Sequence, residues 1–92
     1  MADTQLAAAL AEYSKQLLVH MAALRERHEG LEKAWANLRE IYEGEGAQVF
    51  GATFEAASAK LVEYGSQGAL IERQLQARID ELRAFEAADS EL

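Results

Sequence analysis

The sequence predicts an all-α protein in which two long antiparallel helices form a single helix-turn-helix hairpin. Three features of the 92-residue chain predict this fold: it contains no proline, apolar residues recur every seven positions in each half, and Gly44 and Gly46 lie close together near the middle. A seven-residue recurrence is typical of helices that pack side by side. We expect helix 1 at about residues 4–41 and helix 2 at about residues 47–88, in one domain spanning residues 1–92.

Two heptad series run through the first half of the chain. One series contains Leu10, Leu17, Leu24, Leu31 and Leu38, and the other contains Ala7, Ser14, Met21, His28, Trp35 and Tyr42. The positions between the two series are largely charged. The apolar stripe of helix 1 is therefore narrow, and we expect it to face a partner helix.

The heptad pattern stops at Tyr42-Glu43-Gly44-Glu45-Gly46. Two glycines in three residues allow the left-handed backbone conformation that commonly ends a helix, so we expect the chain to reverse here. A second pair of series then begins, with Phe50, Ala57, Tyr64, Ile71, Arg78 and Phe85 in one and Phe54, Leu61, Gly68, Leu75 and Leu82 in the other. The segment from Gly65 to Gly68 is the expected kink of helix 2. Its glycines are explained by close approach of backbones, by a tolerated weak point or by a functional hinge.

A hairpin of this length is expected to need a partner. Two helices cover only the sides of their stripes that face each other, and a short chain buries a low fraction of its surface. Pairing of two hairpins into a four-helix bundle would cover the remaining apolar side chains. The predicted dimer seam is formed by Leu10, Leu17, Met21, Leu24, Leu31, Trp35, Leu38, Phe50, Phe54, Leu61, Tyr64, Ile71, Leu75 and Leu82. We expect a homodimer, with a heterodimer between related hairpins as the alternative.

The charge of the chain argues against two classes of partner. The formal net charge is −7, and both halves are acidic, so neither offers the basic face that binding to nucleic acid requires. No apolar run is long enough to span a bilayer, and an acidic surface is repelled by anionic lipids. We therefore expect no nucleic acid partner and no stable membrane insertion. The first residues also lack the pattern of a cleavable signal peptide.

The sequence does not predict an enzyme, a cofactor or a metal site. It contains no cysteine, and His20 and His28 are eight residues apart, which is too far for two ligands on one helical turn. No phosphate-binding loop and no nucleophile beside a base can be recognised. We interpret His28 as a seam residue whose ring packs beside Trp35 or across the interface.

The turn resembles the signature of a known family. Tyr42-Glu43-Gly44 occupies the place of the Trp-x-Gly motif in the ESAT-like WXG proteins, which are small substrates of type VII secretion systems. Gly46 repeats a second small residue often found there, and Phe50 lies where helix 2 of such proteins commonly has an aromatic residue. Tyrosine replaces the tryptophan of the motif, and Trp35 lies one heptad earlier. The resemblance covers nearly the whole chain.

A second segment resembles an export signal of the same family. Phe85-Glu86-Ala87-Ala88-Asp89 is similar to the Tyr-x-x-x-Asp/Glu signal near the end of helix 2, with phenylalanine in place of tyrosine. At this spacing, Phe85 and Asp89 lie on one helical face. The alternative is that Phe85 is the last seam residue and that Asp89 belongs to a frayed polar tail.

The resemblance implies a small non-enzymatic protein that dimerises and is exported by, or acts with, a bacterial type VII secretion system. It implies recognition by the secretion ATPase and secretion without a cleavable signal peptide, with a cytoplasmic pool. One alternative is a cytoplasmic adaptor or chaperone that pairs with the helical targeting domain of a larger secreted effector. Another is a purely structural coiled-coil module with no link to secretion.

Overall fold

The computed structural model describes the backbone of residues 2–90 and the side chains of residues 4–88. It contains two helices, α1 (Ala2–Arg39) and α2 (Glu45–Ser90), joined by residues 40–44. The described residues contain no strand. The predicted helical hairpin is confirmed. Helix α1 begins and ends two residues before its predicted bounds, and α2 begins two residues before and ends two residues after its predicted bounds.

Helix α1 ends early because its last turn tightens. The backbone N–H groups of Glu40 and Ile41 donate to the carbonyl oxygens of Asn37 and Leu38, three residues earlier, at 3.3 and 3.1 Å. The N–H of Tyr42 still donates to the Leu38 carbonyl, at 2.9 Å. Bonds of the three-residue type are common where a helix stops, because they satisfy carbonyls that have no partner further along the chain. Tyr42, the last member of its heptad series, therefore belongs to the turn.

Helix α2 begins early because Gly44 provides its first acceptor. The backbone φ of Gly44 is +100°, a left-handed value that only glycine adopts readily. Its carbonyl oxygen accepts the N–H of Gln48 at 3.1 Å, which is the first hydrogen bond of α2. Glu45 follows in the first turn, where a carboxylate interacts favourably with the positive end of the helix dipole.

The residues of the hairpin group into two compact units. We call them the terminal unit, which contains residues 2–20 and 67–90, and the turn unit, which contains residues 21–66. Each unit contains a segment of α1 and a segment of α2.

The terminal unit holds all of the fully buried side chains of the described chain. Ile79 is the most buried of them, at 1% exposed, and Ala7 and Leu82 are buried as well. Ser14 is also buried, and its hydroxyl donates a hydrogen bond of 2.5 Å to a carboxylate oxygen of Glu72. A buried hydroxyl with such a partner avoids the cost of losing its hydrogen bonds to water.

The turn unit is packed less completely. None of its residues falls in the fully buried class. Two buried polar atoms, Nε2 of His28 and Oγ of Ser58, have no hydrogen-bond partner within the described chain. His28 Nε2 lies 3.6 Å from a carboxylate oxygen of Glu32, beyond hydrogen-bonding distance. Because unpartnered buried polar atoms are costly, we expect this unit to be the less stable of the two.

The least exposed positions of α2 follow two heptad series. One is the predicted series of Phe54, Leu61, Gly68, Leu75 and Leu82, and the other is formed by Gly51, Ser58, Gly65, Glu72, Ile79 and Glu86. The predicted series that begins at Phe50 lies next to them and is exposed in the hairpin. It remains the predicted contact for a second hairpin.

The expected kink of α2 is not accompanied by a break in the helix. Residues 45–90 form one continuous α-helix that includes Gly65 and Gly68. The hydroxyl of Ser66 donates to the carbonyl oxygen of Val62, one turn earlier, at 3.3 Å. Gly68 is buried, whereas a Cβ at Gly65 would meet no atom within 4 Å.

Candidate functional site

The turn that resembles the family signature has a defined geometry. Tyr42 follows the tightened end of α1, Gly44 supplies the left-handed backbone, and Gly46 lies in the first turn of α2. The hydroxyl oxygen of Tyr42 lies 2.8 Å from the position that a Cβ at residue 46 would occupy. The hydroxyl end of the Tyr42 side chain thus lies against Gly46, and even an alanine there would displace it. Packing against Tyr42 therefore explains glycine at position 46, and the left-handed backbone explains glycine at position 44.

An aromatic cluster lies next to the turn within the turn unit. The ring centroid of Trp35 is 4.8 Å from that of Phe50 and 6.2 Å from that of Phe54, and both pairs are tilted. Phe50 and Phe54 are 6.4 Å apart and nearly parallel. A Cβ at Gly51 would lie 3.2 Å from Cζ2 of Trp35. Glycine at this position gives the indole ring room to lie against α2.

The candidate export signal lies in the terminal unit. The side chain of Phe85 is exposed near the C-terminal end of α2. Asp89 belongs to the same helix, but its side chain lies outside the described residues. The structure therefore presents the aromatic half of the motif on the surface.

The predicted dimer-seam residues divide into two groups by exposure. The first group is partly buried by the hairpin itself and contains Leu10, Leu17, Met21, Leu24, Trp35, Phe54, Leu61 and Leu75, together with the buried Leu82. The second group is exposed and contains Leu31, Leu38, Phe50, Tyr64 and Ile71. The second group, at 42–57% exposed, therefore leaves more of its surface available to another chain than the first group does.

Sequence reasoning did not single out three apolar residues of structural importance. Ile79 is the most buried large side chain, although it lies in neither predicted series of helix 2. Ile41 and Val49 flank the turn and are highly exposed, and they too lie outside the predicted series. Ile41 and Val49 could have been found in the sequence because each is an apolar residue that lies outside every heptad series.

Metal binding and membrane spanning find no support in the described part of the chain. No three His, Cys, Asp or Glu residues there are grouped so that they could hold a metal ion. Neither helix, over the residues described, is sufficiently long and apolar to cross a membrane.

Comparison with known proteins yields no match for this chain, whether to a family model, to a curated sequence or to a solved structure.

Replacing Gly44 with alanine is expected to destabilise the hairpin, whereas replacing Gly30 with alanine is expected to stabilise it. At Gly44 a side chain would be forced into the left-handed region, at a cost of about 1–2 kcal/mol. Gly30 is helical, and an added Cβ would meet nothing within 4 Å, so alanine should add about 0.5–1 kcal/mol. Urea denaturation followed by circular dichroism measures both changes. Equal effects of the two substitutions would contradict the role assigned to Gly44.

Proposed function

We propose that this chain is a small non-enzymatic protein of the ESAT-like type, which pairs with a second helical hairpin and is exported by a bacterial type VII secretion system. The observation that carries the proposal is the turn. An aromatic residue, a left-handed glycine and a second glycine lie at the reversal of a helical hairpin, in the order and place that the family signature has them. The close fit between Tyr42 and Gly46 supports tyrosine as a replacement for the signature tryptophan.

The chemistry of the exposed stripe on α2 supports pairing. Phe50, Tyr64 and Ile71 follow one another at heptad intervals or multiples of them, and each is exposed. They lie directly beside the positions that α2 buries against α1. A second hairpin placed along this stripe would extend the apolar core of the first without requiring it to unfold.

Export is tested by comparing the native host with a strain that lacks the type VII secretion ATPase. We expect the chain to appear in the culture medium only when the ATPase is present, and to accumulate in the cells when it is absent. Release of a cytoplasmic marker protein controls for lysis. Retention of the chain in both strains would reject export by this system.

Within the same assay, Phe85→Ala is expected to abolish export, because Phe85 is the described residue of the candidate signal. Tyr13→Ala is the matched control, since Tyr13 is an aromatic residue of the same unit with nearly the same exposure, 60%. Both variants should remain helical. If Tyr13→Ala reduces export as strongly as Phe85→Ala, the segment around Phe85 is not the signal.

Pairing is tested by analytical ultracentrifugation of the purified chain. We expect a species of twice 10.1 kDa that dissociates on dilution. A monomer at all concentrations would exclude self-pairing and would favour the adaptor hypothesis, in which the partner is the helical domain of a larger protein.

A further inference from the structure

Two apolar side chains at the turn are highly exposed, and dimerisation along the heptad series does not account for them. Ile41 is 84% exposed, the highest value of any large apolar side chain in the described chain, and Val49 is 62% exposed. Neither residue belongs to a heptad series, so a second hairpin packed along those series would not depend on them. Ile41 lies three residues before Gly44, and Val49 lies five residues after it.

Three carboxylates lie close to these two side chains in the sequence. Glu40, Glu43 and Glu45 are all exposed, and none of them takes part in an ion pair among the described residues. Arg39 is the only cationic residue between positions 38 and 50. An apolar surface with an acidic edge is complementary to an apolar groove with a basic edge.

The turn holds this surface in a fixed arrangement. Two hydrogen bonds to the Leu38 carbonyl fix the backbone of Ile41 and Tyr42, and the bond from Gln48 to Gly44 fixes the start of α2. The hydroxyl end of the Tyr42 side chain packs against Gly46. A surface ordered before binding loses less conformational entropy when a partner docks on it.

We propose that this apex surface docks into an apolar groove, edged by lysine or arginine, on a protein other than a second copy of this chain. The apex surface is defined as Ile41, Tyr42 and Val49 with the carboxylates of Glu40, Glu43 and Glu45. Ile41 and Val49 supply the apolar contact, and the carboxylates select basic groove edges over acidic ones. The proposal concerns a surface that dimerisation leaves open, and it does not depend on export.

The test uses two synthetic amphipathic helical peptides with the same leucine face, one with lysine edges and one with glutamate edges. Neither peptide contains tryptophan, so the emission of Trp35, the only tryptophan of the chain, reports on the protein. We expect the lysine-edged peptide to bind, with an affinity that falls as salt is added, and the glutamate-edged peptide not to bind. Fluorescence anisotropy of labelled peptides measures both affinities.

Matched variants locate the binding site. Ile41→Ser combined with Val49→Ser should weaken binding of the lysine-edged peptide about tenfold or more. Val62→Ser is the control, because Val62 is exposed to the same 62% within the turn unit but lies away from the turn. It should leave binding unchanged. Replacing Glu40, Glu43 and Glu45 with glutamine should remove most of the salt dependence.

Several results would overturn the proposal. These are failure of the lysine-edged peptide to bind, equal binding of the two peptides, and equal loss of binding in the apex and Val62→Ser variants. A change in sedimentation of the Ile41→Ser/Val49→Ser protein would instead assign the surface to a second copy of the chain. Binding to phosphatidylglycerol vesicles that these substitutions abolish would assign it to lipid. Circular dichroism of each variant confirms that the helices remain.

Discussion

Replacing Ile79 with aspartate is expected to abolish the helical hairpin at neutral pH. The Ile79 side chain is 1% exposed, so the substitution removes a buried apolar group and introduces an unpaired carboxylate in its place. Together these changes should cost more than about 4 kcal/mol, which is comparable with the whole stability of a small domain. Loss of the helical circular dichroism signal measures the effect.

The same substitution at Ile71 provides the comparison. Ile71 lies eight residues earlier on the same helix and is 44% exposed, so aspartate there keeps contact with water within the hairpin. If the stripe containing Ile71 pairs with a second hairpin, Ile71→Asp should weaken the dimer, and raising the protein concentration should restore helix. Ile79→Asp should stay unfolded at every concentration. Retention of helix by Ile79→Asp would mean that the described packing of the terminal unit is wrong.

Replacing Trp35 with alanine is expected to destabilise the turn unit by about 2–4 kcal/mol, because large aromatic side chains contribute most where little else is buried. Trp35 makes close ring contacts with Phe50 and Phe54, and the turn unit has no fully buried residue to compensate for their loss. Amide hydrogen exchange should accelerate in residues 21–66 more than in residues 2–20 and 67–90.

Tyr13→Ala is the control for this second substitution. Tyr13 is aromatic and exposed, and it makes no ring contact among the described residues. Its removal should change the free energy of unfolding by less than about 0.5 kcal/mol. Uniform acceleration of exchange in both units of Trp35→Ala would show that the hairpin unfolds as one cooperative body.

Heptad recurrence was sufficient to predict the hairpin, because it records the helical period over many turns. The ends of the helices depend on details that recurrence does not contain. The φ of Gly44 and the hydrogen bonds to the third residue back at the end of α1 explain why α1 ends, and α2 begins, two residues earlier than predicted. Tyr42 has the correct heptad position to continue α1, and only the backbone geometry places it in the turn.

The inward face of α2 was harder to predict than the fold. Gly51 and Ser58 carry little apolar surface, so a search for apolar residues favours the neighbouring stripe that begins at Phe50. Gly51 faces Trp35 because the indole ring occupies the space that a side chain would need. Complementarity of a large and a small residue on different helices is a property of the packed pair and cannot be read from either helix alone.

The hydrogen bond between Ser14 and Glu72 has a consequence for alignment of the two helices. Heptad patterns are nearly unchanged by a slip of seven residues, so apolar burial alone distinguishes poorly between alternative alignments. A slip of α2 by one heptad would place Gly65 or Ile79 opposite Ser14. Neither side chain can accept a hydrogen bond, and the buried hydroxyl would lose its partner. One polar pair in an otherwise repetitive sequence thus disfavours a slip of the helices by one heptad.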